Sequence, residues 1–200
     1  MRSFEKRNKT TQTMAMGAIL TALVVVLQFV AILFRTLFPM FPFTITLVLV
    51  PIVLGAAVCN TCIAGWLGFV FGIVVLFTDA ATFLAINMPA TVLVVLVKGT
   101  AAGLAAGLAY RLLEKKNRYL AIGVSAVVCP VVNTGIFLLG CRLFFFETIK
   151  SWGLAGGFDN VFAYMILALV GVNFLIELGI NVVLSPVIVR VINIQKKIEI

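Results

Sequence analysis

The stretch MAMGAILTALVVVLQFVAILF, residues 14–34, carries no charged side chain and no proline. A helix of this length, rising 1.5 Å per residue, crosses a hydrocarbon core about 30 Å thick. It is too long for the apolar part of a cleaved signal peptide, and no small-residue cleavage site follows it, so it reads as a spanning helix. The same pattern recurs along the chain. Six apolar segments are predicted, at about Thr13–Phe34, Thr44–Val58, Ile63–Phe77, Asn87–Leu113, Tyr119–Phe146 and Asn160–Ile192. Asp79 and Pro89 separate the third from the fourth, which would otherwise read as one long helix.

Composition agrees with this reading. Of 200 residues, 63% are hydrophobic and 11% charged, so a water-facing surface could not be covered. The fold class is an all-α integral membrane protein with six transmembrane helices, a single domain over residues 1–200. The net charge of +8 invites a nucleic-acid reading, but the basic residues fall in short runs between apolar segments, which is a topology signal. With both termini cytoplasmic, one side collects Arg2, Lys6, Arg7, Lys9, Arg111, Lys115, Lys116, Arg118, Arg190, Lys196 and Lys197. The other side holds Arg35, Arg142 and Lys150. That asymmetry orients the bundle, with residues 1–12 as a cytoplasmic tail and residues 35–43 and 147–159 as outer loops.

The outer loops differ in character. FRTLFPMFPF, residues 34–43, is aromatic and twice interrupted by proline; it suits either an interfacial aromatic belt or a lid, with Phe41 a candidate ligand contact. ETIKSWGLAGGFDN, residues 147–160, is Gly-rich and is expected to be mobile. No internal repeat is evident, so the inverted-repeat design of many secondary transporters finds no support.

Several chemistries are excluded or left without support. Histidine is absent, which removes histidine-based triads and most catalytic zinc sites. No phosphate-binding loop exists, so the chain does not hydrolyse ATP. Asp79, Glu147 and Asp159 sit in outer loops at unrelated positions and form no hydrolase pair. Cys59 and Cys62 make a lone C-x-x-C in a turn, more simply read as semi-polar residues at helix ends than as a metal or redox site. No catalytic residue, metal or cofactor is expected.

What remains is a polar stripe inside the apolar spans. Asn173, Glu177 and Asn181 are four residues apart and share one helical face. A buried carboxylate is costly unless compensated, and Lys98, at nearly the same depth in the fourth segment, is the natural compensation. Asn87 and Thr91 lie on the face of Lys98, while the fifth segment offers Asn133, Thr134, Phe137 and Cys141 beyond a kink at Pro130. Together these sketch a polar pocket with apolar walls, opening outward. Asn and Thr also serve simply to join helices. Gly68 and Gly72, and Gly99, Gly103 and Gly107, read as small-residue packing seams. Ala15, Ala18 and Ala22, with Gly17 and Thr21, give the first helix a smooth face that a neighbour or a partner protein could approach.

The Ala18-x-x-x-Ala22 pattern, LVLVPIVLGAAV leading into GWLGFVFG, VVNTGIFLLG, and NFLIELGINVVLSPVIVRVI carry a resemblance across essentially the whole chain. The chain resembles the substrate-binding S component of energy-coupling factor (ECF) vitamin transporters, and among them the pantothenate-type branch. The resemblance implies a multi-pass protein of a prokaryotic cell membrane, surrounded by lipid. It would capture a water-soluble vitamin from outside, in a pocket of the last three helices capped by the loop after the first. A membrane coupling protein, met through Ala18 and Ala22, and two ATPase subunits would complete the importer. Pocket candidates are Lys98, Glu177, Asn173, Asn133, Thr91, Asn87, Phe137, Arg142 and Phe41. Riboflavin, folate, cobalamin or a pyrimidine precursor stay open as cargo. An autonomous secondary transporter using Glu177 and Lys98 as a proton-coupled pair is the alternative; a membrane enzyme is disfavoured.

Overall fold

A computed structural model describes the backbone of residues 2–37 and 47–198, and the side chains of residues 10–37 and 47–192. The described elements are all helical: α1 (Arg2–Leu37), α2 (Leu49–Val58), α3 (Thr61–Thr78), α4 (Ala81–Ile86), α5 (Met88–Leu113), α6 (Arg118–Phe144) and α7 (Phe146–Ala155). The last rod comprises a single turn α8 (Val161–Ala163), a π-helical stretch over Tyr164–Gly171, and α9 (Val172–Ile198).

Five of these helices are long and apolar enough to cross a membrane: Thr10–Leu37, Thr61–Thr78, Met88–Leu113, Arg118–Phe144 and Val161–Ile192. The second expected segment is, within the described residues, the ten-residue helix α2. Its brevity goes with a central position, since α2 touches α1, α3, α5, α6 and α9 and buries Leu49, Ile52 and Val53 almost completely. Pro51 falls in its first turn, where the missing N–H costs nothing. Residues Met14, Phe29, Phe77, Leu139, Leu175 and Val183 all point outward and stay exposed. So many large apolar side chains on the outside suit lipid and not water.

Asparagine sets four helix starts. Asn60, Asn87, Asn117 and Asn160 each turn a side-chain oxygen onto backbone N–H groups of the first turn, with Asn60 meeting the N–H of Ile63 at 2.9 Å and Asn117 that of Leu120 at 3.1 Å. Within a membrane such orphan donors have no water to turn to, so side-chain caps fix where the spans begin.

α3 and α5 form the closest pair. A Cβ placed on Gly68 would lie 2.0 Å from the carbonyl oxygen of Gly99, and one on Gly103 would lie 2.0 Å from that of Ala64. The two backbones therefore touch directly, as the glycine spacing predicts. α6 packs on the other side of α5, where the Ser125 hydroxyl donates to the Ala106 carbonyl at 2.9 Å.

Two regions depart from expectation. Residues 147–159, expected as a mobile loop, are mostly helix: α7 runs to Ala155, with Ile149 fully buried and Gly153 against the ring of Tyr164. Ile149 and Trp152, three residues apart, share the inward face, and that amphipathic spacing outweighs the glycines. The expected tail, residues 1–12, is helical from Arg2 as the first part of α1.

Candidate functional site

α1, α3, α5, α6 and the last rod enclose a cavity of about 250 Å³. Its apolar wall includes Phe71, Val75, Phe83, Val94, Phe137 and Phe174. Phe83, carried by the short helix α4, meets Phe137, Phe145 and Trp152 edge-on at centroid distances of 5.6, 5.1 and 5.8 Å. Such edge-to-face contacts fix ring positions as well as burying area. They tie α4, α6 and α7 into one rigid cover on that side of the cavity.

Six of the nine pocket candidates line this space, Lys98, Glu177, Asn173, Asn133, Thr91 and Phe137, and so do Thr134 and Cys141, which the fifth apolar segment offered beside them. The Lys98 ammonium sits between two aromatic faces, 5.7 Å from the Phe71 centroid and 5.2 Å from that of Phe137. Ring quadrupoles stabilise a cation there without drawing on its N–H donors. Glu177 faces the same cavity, so opposite charges share one enclosed space. Asn181 is fully buried and donates to the Glu177 carbonyl at 2.8 Å, a role inside α9 away from the cavity. Thr91 likewise donates to the Asn87 carbonyl at 2.8 Å while presenting its side chain to the cavity.

The remaining candidates are placed elsewhere. Asn87 caps α5 through the N–H of Ala90 and does not line the cavity. Arg142 lies exposed on α6, its guanidinium 4.1 Å from the centroid of Phe146 and 5.5 Å from that of Phe162. Phe41 lies outside the described residues.

A second polar group reaches the cavity from residues the sequence did not bring together. Asp79, at the end of α3, forms an ion pair with Arg35 of α1 and accepts a hydrogen bond from the Gln28 amide, also of α1. Gln28, Arg35 and Asp79 all line the cavity. A lone amide in an otherwise apolar span is the signal that could have marked Gln28, since polar groups at such positions need partners.

Ala15, Ala18 and Ala22 are exposed, turned away from the helices that α1 packs against, whereas Gly17 is buried against Ile63. Cys59 is half-buried, and burial pushes its thiol up, away from the thiolate form that redox or metal chemistry needs. Among the described residues no cluster of three or more Cys, Asp or Glu side chains could hold a metal ion.

No curated protein and no solved structure matches the chain. A family model, that of the ECF transporter substrate-specific component, matches residues 12–189. That span covers every helix lining the cavity together with the outward alanine face. The chain accordingly belongs to the family of ECF transporter substrate-specific components.

Proposed function

We propose that this subunit captures a small anionic vitamin in the cavity between α1, α3, α5, α6 and α9, with pantothenate as the cargo. The observation that carries this reading is the Lys98 ammonium, held between two aromatic rings at an enclosed space that also exposes amides and a hydroxyl. A carboxylate would take the lysine, and hydroxyl and amide groups would take Asn133, Asn173, Thr91 and Glu177. At about 250 Å³ the space lies at the small end of ligand pockets, which favours a compact vitamin over a corrinoid.

In this reading the chain crosses the plasma membrane six times with both termini cytoplasmic, the segment ending in α2 supplying the sixth crossing. The Arg35 end faces outward, and Arg35 steers anions toward the opening. Transport is driven by a membrane coupling protein and two ATPase subunits, in keeping with the absence of a phosphate-binding loop. The purified protein should therefore bind pantothenate saturably in detergent and show no ATP-dependent accumulation when reconstituted alone. Accumulation by this chain alone would favour the autonomous carrier, and absence of binding would remove pantothenate.

The exposed alanine face supports docking of the coupling protein on α1. Ala18→Leu or Ala22→Leu should leave pantothenate affinity within about twofold and weaken assembly at least tenfold, since the added isobutyl group separates helices that meet through methyls. Co-purification with the coupling protein reads the second effect. Lost binding with intact assembly would place that face in a different role.

A further inference from the structure

Among the described residues three buried side-chain oxygens have no hydrogen-bond partner: Gln28 Oε1, Asn133 Oδ1 and Asn181 Oδ1. The first two belong to residues that line the cavity, one from α1 and one from α6. Gln28 is 2% exposed and Asn133 5% exposed, so bulk water does not serve either. An unpaired buried acceptor is normally avoided, because its lost hydration is not returned.

The orientation of Gln28 follows from its surroundings. Its Nε2 donates to Asp79 Oδ2 and lies 3.4 Å from the Thr78 hydroxyl oxygen. Asp79, held by Arg35 through its other oxygen, offers only acceptors on that side. A flipped amide would set carbonyl oxygen against carboxylate, so the N–H face is fixed toward Asp79 and Oε1 is fixed away from it. Asp79 and Arg35 thus act as positioning residues for an acceptor.

We propose that Gln28 and Asn133 are specificity-determining residues whose carbonyl oxygens accept hydrogen bonds from two hydroxyl groups of the cargo. The proposal rests on the reading of this cavity as the ligand site and extends that reading to α1. Two acceptors on two different helices call for two donors, which a diol-bearing acid supplies and a simple carboxylate of the same size does not. A cargo without those donors leaves both buried oxygens unpaired, which is how a hydrogen-bonding pocket rejects an isostere.

The test compares pantothenate with its analogue lacking both hydroxyls, by titration of the purified protein. Wild type should prefer pantothenate at least a hundredfold. Gln28→Met should weaken pantothenate about tenfold and leave the analogue within about twofold of its wild-type affinity, and Asn133→Leu should behave alike. Equal affinity of wild type for the two compounds overturns the proposal without recourse to any variant. So do variants that lose both compounds equally, which would mark Gln28 and Asn133 as structural. Wild type that binds neither compound overturns the pantothenate reading itself, and this proposal with it.

Discussion

Gly103→Ala should cost about 3 kcal/mol of stability, among the largest effects a single methyl can have in this chain. The new Cβ would stand 2.0 Å from the Ala64 carbonyl oxygen, and the obstacle is backbone, which has no rotamer to yield. Relief requires α3 and α5 to separate along their seam, losing dispersion contact over many residues at once. Gly123→Ala and Gly135→Ala, both on α6, are the controls. A Cβ at either site meets nothing within 4 Å, so both should be neutral or stabilise by up to about 1 kcal/mol through helix propensity. Melting temperatures of the three variants in one detergent decide the matter. A Gly103→Ala protein as stable as the controls would mean that the two backbones do not touch.

Lys98→Met should reduce pantothenate binding by roughly 2 to 5 kcal/mol, the range expected when one member of a desolvated charge pair is removed. Methionine keeps most of the unbranched stem and removes the ammonium that lies between Phe71 and Phe137, so the loss reports chiefly the charge. Glu177→Gln should cost less, because the amide still accepts a hydrogen bond. Titration after a check of folding separates the two. Wild-type affinity in Lys98→Met would leave the cargo held by the cavity's other polar groups and its apolar walls, and would remove the anion requirement.

Much of the helical arrangement was legible because a membrane makes the sequence signal coarse. An apolar run such as residues 14–34 has one stable conformation in lipid, and backbone satisfaction enforces it. The glycine seam was equally legible, since four-residue spacing of glycines has few uses besides close helix contact. Lys98, Glu177 and Asn133 could be assembled from depth alone. The Gln28–Asp79–Arg35 group could not, because it joins residues about fifty positions apart and nothing local marks the pairing. Asn87 misled for a related reason: its spacing from Thr91 fits a helical face, yet it stands one residue before the helix and serves as its cap. In α7 the glycines drew attention from Ile149 and Trp152, whose spacing carried the helical signal. The length of α2 was beyond a reading by apolar runs, which does not see where a helix starts.

The π-helical stretch Tyr164–Gly171 has an evolutionary consequence. Its wider winding brings the Ile166 carbonyl oxygen to 2.7 Å from where a Cβ on residue 171 would sit, so glycine belongs there. A wider turn holds an extra residue that ordinary helical winding would carry forward as a rotation of about 100°. The lip of the last rod, keyed by Tyr164 against Gly153, and the cavity-facing stripe at Asn173 and Glu177 therefore keep the relative orientation of an uninterrupted helix. Deleting that extra residue would let the stretch wind as an ordinary helix and leave both the lip and the cavity-facing stripe in register. A lineage could thus gain or lose one residue here with every side chain of the inner motif still turned toward the cavity.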